Sequence, residues 1–336
     1  MTIRYTRRLA SCFGSLLMIV LLMPALAQDE PFTMQPEAGI STSRRRAGFF
    51  HRTKKDTPAA QLAWAAELGS EGKLRRAGRA YRNLVIAWHE SPEAAKAQLA
   101  YANLLDARGK YMDAFEEYQY LIDHFAGHFP YDQVIAQQFK IANHVRTTLR
   151  GGFLLFKGSP HPERALPLYR QMIKNAPNWK RTPEAQYYAG LILEQEGDFN
   201  DAITAYEKVV FRYPKSGFAD NAAFRRVKCL YEIADRNRRD EERQRTALQG
   251  VLRYLNLFPG GGDVAEAEVL RDVLIERLAR MSFKKAMYYD RIAKRPESAI
   301  IAYTDFVNRF PTTQSAGIAR QRIAELEAAL GEQNED

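Results

Sequence analysis

From Pro58 to about residue 330 the chain keeps one rhythm, with apolar residues returning every three or four positions and charged residues filling the face between them. That period predicts helices over 58–70, 73–90, 93–107, 110–125, 131–149, 162–175, 182–195, 199–212, 217–236, 240–257, 264–291, 296–309 and 313–330. No stretch alternates β-branched and polar residues as a half-buried strand requires. Breaks are marked by Gly151-Gly152, Gly158-Ser159-Pro160 and Gly260-Gly261-Gly262, and residues 331–336 read as a disordered tail. The expected class is all-α.

The helices also repeat one another. Between Pro183 and Ser216, Gly190, Gly197, Phe199, Ala202, Tyr206 and Pro214 mark a first helix, a turn, a second helix and its stop. These spacings match a tetratricopeptide repeat of about 34 residues. The core pattern of Ala, an apolar residue four later and Pro eight beyond recurs as Ala165/Tyr169/Pro177, Ala202/Tyr206/Pro214, Ala247/Val251/Pro259 and Ala299/Tyr303/Pro311. Two earlier units keep the turn half, as Gly72/Ala77/Tyr81 and Gly109/Tyr111/Ala114/Tyr118. One hairpin cannot bury its apolar face alone, so about six hairpins over 58–330 should stack into an α-solenoid, a right-handed superhelix with a concave inner face.

The N-terminus departs from this rhythm. Arg4, Arg7 and Arg8 precede an apolar run from Leu9 to Met23, then Pro24 and Ala25-Leu26-Ala27, the layout of a signal peptide over 1–27 cleaved between Ala27 and Gln28. Most of the apolar run lies after Cys12, so Leu9-Ala10-Ser11-Cys12 is not placed for lipidation. Residues 28–57 carry Pro31, Pro36, Arg44-Arg45-Arg46, Lys54 and Lys55 and read as a flexible basic linker. Cleavage would remove three of the 49 basic residues and none of the 40 acidic ones, leaving a net charge of +6. It would also leave Cys229 as the sole thiol, a buried helical residue with no disulfide partner.

Candidate chemistry changes little. The six histidines form no metal-binding set, and G-x-S-x-G, G-x-x-x-x-G-K-[ST] and H-E-x-x-H are all missing. We therefore expect no catalytic residues, no metal, no cofactor and no enzymatic activity. The mixed-sign run Asp235 to Arg243 reads as a solvated helix junction, and an exported chain is not expected to bind nucleic acid. In repeats of this kind one face of each first helix lines the groove. In register these positions are Lys96, Leu99, Asn103 and Asp106; Glu184, Tyr187, Leu191 and Glu194; and Met281, Lys284, Tyr288 and Arg291. Such a mixture suits an extended peptide or a partner's helix.

Leu278-Ala279-Arg280-Met281, continuing through Ala286 and Tyr289 to Arg291 and followed by Pro296, Ala299 and Val307 to Pro311, resembles a helix and final repeat of the BamD (YfiO) family of outer-membrane β-barrel assembly lipoproteins. Asp132 to His144, Gly151 to Phe156 and Glu163-Arg164-Ala165 resemble its long helix, buried apolar loop and third repeat, so the likeness runs from about Ala60 to Leu326. It implies a periplasmic scaffold, peripheral to the outer membrane, that docks on the barrel insertase subunit and offers its groove to unfolded outer-membrane proteins. A general cell-envelope adaptor, or a regulatory subunit of an envelope enzyme, would use the same fold.

Overall fold

The computed structural model describes residues 52–150 and 159–335. Their helices form consecutive hairpins: α1 (Pro58–Ser70) with α2 (Leu74–Ala87), α3 (Pro92–Ala107) with α4 (Tyr111–His124), α5 (Tyr131–Thr147) with α6 (Leu166–Asn175), and α7 (Thr182–Glu196) with α8 (Phe199–Arg212). The series continues as α9 (Ala219–Arg236) with α10 (Glu241–Leu257), then α11 (Val264–Met287) with α12 (Pro296–Arg309), and closes with α13 (Gln314–Glu335). Each helix packs on its neighbours in sequence, and α1 also meets α3 as α9 meets α11. This nearest-neighbour packing makes the chain an all-α tetratricopeptide-repeat solenoid. The expected signal peptide and its cleavage site at Ala27 and Gln28 lie outside the described residues, as do the linker up to residue 51 and the loop at 151–158.

Local chemistry sets the boundaries. Gly72, Gly109 and Gly197 sit at φ +72°, +70° and +82°, where a side chain would clash with its own backbone. The amide after each glycine bonds back to the last turn of the helix, as in Asp198 N to Leu193 O at 2.9 Å, which satisfies a terminal carbonyl. Pro177, Pro214, Pro259 and Pro311 each lie one residue beyond the cap of α6, α8, α10 or α12, where a missing N–H stops the helix. The anchor alanines Ala77, Ala114, Ala165, Ala202, Ala247 and Ala299 are all buried. So are Tyr81, Tyr118, Tyr169, Tyr206, Val251 and Tyr303, each worth about 1.5–3 kcal/mol of burial at its hairpin seam.

Four features differ from expectation. Residues Pro162–Ala165 form a 3₁₀ turn before α6, because Pro167 has no N–H to offer the Glu163 carbonyl. A two-residue antiparallel ladder joins Leu149–Arg150 to Ser159–Pro160, with Leu149 opposite Pro160. After α11 the chain widens into a π turn over Tyr288–Ile292, closed by Ala293 N to Tyr288 O at 2.9 Å. Helix α13 runs through Gly331 to Glu335, so the expected tail is helical over most of its length; one glycine lowers helix stability without ending it.

Candidate functional site

The candidate groove residues lie on three first helices. On α3, Lys96 and Asn103 are exposed while Leu99 and Asp106 are half-buried. On α7, Glu184, Tyr187, Leu191 and Glu194 are all half-buried. On α11 Met281 is half-buried and Lys284 exposed, and Tyr288 and Arg291 are exposed in the π turn that follows it. They form separate patches along the array, since α3, α7 and α11 do not pack on one another.

The α7 patch is built most fully. Tyr187 lies against Tyr188, Tyr206 and Phe218, with ring centroids 6.0, 5.9 and 5.4 Å away. The Arg146 guanidinium covers the Tyr188 ring at 4.0 Å. Glu184 accepts two bonds from Arg181, of 2.8 and 3.0 Å. The result is a half-exposed aromatic shelf across α5, α7 and the entry to α9, edged by an acid and two cations. Leu191 belongs partly to the core, because it packs on the cluster of Ala202, Tyr206 and Cys229. That burial pushes the Cys229 thiol up to about 12 and leaves it unreactive.

Several candidates turn out to be joints between repeats. The Tyr206 hydroxyl donates to Glu194 at 2.6 Å, and Arg225 of the next first helix donates to the same carboxylate at 3.0 Å. Burial, and then the bond to Glu194, raises the Tyr206 hydroxyl above the ordinary tyrosine range. The scheme repeats. Tyr118 donates to Asn103 at 2.6 Å, and Lys140 on α5 reaches Asp106 on α3 at 3.5 Å. Tyr303 donates to Asp290 at 3.2 Å, and Arg322 on α13 donates to both Asp290 oxygens at 2.9 Å. Asp290, not Arg291, therefore holds the place of Glu194 in the last hairpin, because the π turn inserts one residue. The Arg322 bonds come first among the causes that lower the Asp290 carboxyl below the usual range. Asp235 is likewise tied to Arg277 on α11 at 2.5 Å, while the rest of its run, Arg236 to Arg243, lies at the junction of α9 and α10 with most of its residues exposed, as expected.

A second set of joints went unnoticed in the sequence. Buried Gln61, Gln98 and Gln186 each donate a side-chain N–H to the carbonyl 19 residues on, of Ala80, Glu117 and Ala205, at 3.1, 2.9 and 3.2 Å. Each glutamine also stands 11 residues before a turn glycine, a spacing that could have flagged them. In the fifth hairpin Tyr254, three residues after Val251, supplies the hydroxyl and donates to Asp220 at 2.9 Å. Among the described residues, no group of three His, Cys, Asp or Glu side chains is placed to hold a metal ion. No helix among them is long and apolar enough to cross a membrane.

Hairpins joined this way, with mixed aromatic and charged patches on their first helices, define a tetratricopeptide-repeat protein, a protein-binding scaffold. Residues 62–128 match a tetratricopeptide-repeat family model. Residues 180–335, a little under half of the chain, match the YfiO model, described as outer membrane lipoprotein. The chain thus resembles the BamD (YfiO) family over its second half. Residues 129–179, expected to share that likeness, lie in neither match. None of the curated proteins matches.

Among solved structures the chain is similar to YrrB, described as a TPR protein with an unusual peptide-binding site, at 15% identity over 62% of this chain and 89% of that one, with a TM-score of 0.30. It is also similar to the C-terminal part of a TPR repeat-containing protein from Cytophaga hutchinsonii, at 15% identity over 79% and 88%, with a TM-score of 0.32. A tetratricopeptide repeat protein from Parabacteroides merdae shares 11% identity over 80% and 98%, with a TM-score of 0.29.

Proposed function

We propose that this chain is an exported, non-enzymatic scaffold of the cell envelope that works in outer-membrane β-barrel assembly, in the periplasm and peripheral to the outer membrane. Its partners are a barrel insertase subunit and unfolded outer-membrane proteins. The observation that carries the reading is the YfiO match over 180–335, which takes in both the aromatic shelf on α7 and the exposed end of α11. The shelf offers rings and charges to an extended chain, which suits the alternating polarity of an unfolded barrel strand. The end of α11 offers Lys284, Tyr288 and Arg291 beside the exposed Ile292, and Tyr288 and Ile292 are 55% and 71% exposed.

In-cell crosslinking from positions 187 and 288, with mass spectrometry of the captured proteins, tests this. Recovery of a barrel insertase with nascent barrel proteins is the expected result. The match of 62–128 to a general repeat model favours a second reading, an envelope adaptor for wall synthesis or constriction. Recovery of such proteins without any barrel component would establish that reading and overturn the first.

A further inference from the structure

Arg75, Arg79 and Arg82 stand at i, i+4 and i+7 on one face of α2, a helix that contains no Asp or Glu. Across a furrow of about 440 Å³ they face Arg108 and Lys110, from the link between α3 and α4. The furrow is lined at its base by Tyr101, which comes close because Gly78 has no side chain: a Cβ there would lie 3.2 Å from the ring. Several cations elsewhere are paired with acids three or four residues away, as in Arg181 with Glu184, Arg238 with Asp235, Arg245 with Glu241 and Arg322 with Glu325. Arg75, Arg79 and Arg108 have no such partner among the described residues, whereas Lys110 meets Asp113 at 3.1 Å. Like charges one turn apart repel and weaken a helix. Guanidinium groups gathered from two sides over so small a volume match a compact multivalent anion better than the single, spaced carboxylates of an acidic peptide.

We propose that this furrow between α2 and α3 binds a phosphate group, from a lipid headgroup or from a soluble phosphate ester. The test uses protein purified as its host cell processes it. Calorimetric titration with inorganic pyrophosphate is paired with co-sedimentation on phosphatidylglycerol–phosphatidylcholine vesicles and on phosphatidylcholine vesicles alone. R75Q/R79Q should weaken pyrophosphate binding by about 25-fold, about fivefold for each charge. It should leave the thermal midpoint unchanged or higher. K208Q/R212Q removes two exposed cations spaced alike on α8 and should change binding by less than about twofold. If R75Q/R79Q also releases the anionic vesicles, the ligand is a headgroup; if vesicle binding is unaltered, it is a soluble ester. The proposal fails if pyrophosphate does not bind, if both double variants weaken it equally, or if polyglutamate is held through Arg75 and Arg79 while pyrophosphate is not.

Discussion

Gly190 and Gly78 both lie inside helices, yet the same substitution should act on them in opposite directions. A Cβ on Gly190 would fall 2.6 Å from Cε1 and 2.8 Å from Cδ1 of Tyr206. That ring cannot retreat, because Tyr206 is fully buried and its hydroxyl is bonded to Glu194 at 2.6 Å. Forced overpacking costs about 1–3 kcal/mol, against about 1 kcal/mol gained from the better helix former. With contacts this short and a ring this fixed, Gly190→Ala should lose about 1–2 kcal/mol, lowering the thermal midpoint by about 2–6 °C. At Gly78 the nearest atom is 3.2 Å away, on the half-buried Tyr101 ring, which can shift by a few tenths of an ångström. Gly78→Ala should therefore gain about 0.5 kcal/mol. Urea and thermal unfolding followed by circular dichroism read both. A Gly190→Ala protein as stable as the parent, or a Gly78→Ala protein that loses as much, would refute the packing account. So would an undiminished Gly190→Ala penalty in a Tyr206→Leu background, where the ring is gone.

Gln61 is fully buried, donates to Ala80 O, and accepts from the amides of Lys54 and Lys55 at 3.0 and 3.1 Å. Gln61→Leu should cost about 1–3 kcal/mol and speed tryptic cleavage after Lys54 and Lys55; unchanged cleavage would mean that these bonds do not hold the segment. Arg322 keeps Asp290 ionised in the fold, so near pH 4 the unfolded chain binds more protons than the folded one. The stabilisation is present above about pH 4 and is lost as pH falls through the lower folded value. Asp290→Asn should cost about 1 kcal/mol at neutral pH and remove that acid sensitivity from the amide-exchange protection of α13; equal acid loss in both proteins counts against the pair. Tyr288→Ala should leave stability within about 0.5 kcal/mol, whereas Tyr187→Ala, which strips a ring from three aromatic neighbours, should cost about 1–2 kcal/mol. Equal thermal midpoints would place Tyr187 outside the packed shelf. Cys229 should resist alkylation until unfolding exposes it, and labelling at native rates typical of a free thiol would contradict its burial.

What the sequence determined by itself is the local grammar of the repeat. Helix ends follow from Gly197 and its counterparts, which alone tolerate a left-handed turn, and from Pro177, Pro214, Pro259 and Pro311, which cannot donate to the preceding turn. The anchors were legible because Ala202 and Tyr206 lie one turn apart, and a helix turns that spacing into a shared face. The tertiary structure decided the use of the polar residues. Glu194 and Arg225 are 31 residues apart and Asp235 and Arg277 are 42, so these groups meet only when hairpins stack, while Gln186 meets the Ala205 carbonyl, 19 residues on, only when α7 and α8 close into one hairpin. No local period encodes such a meeting. For that reason Glu194 and Asp106, which the register places in a groove, serve partly as joints, and a single π turn moves the last joint from Arg291 to Asp290. The furrow on α2 arises in the same way: its arginines share a face by helical period, but Arg108 and Lys110 reach them only through the packing of α3 against α2.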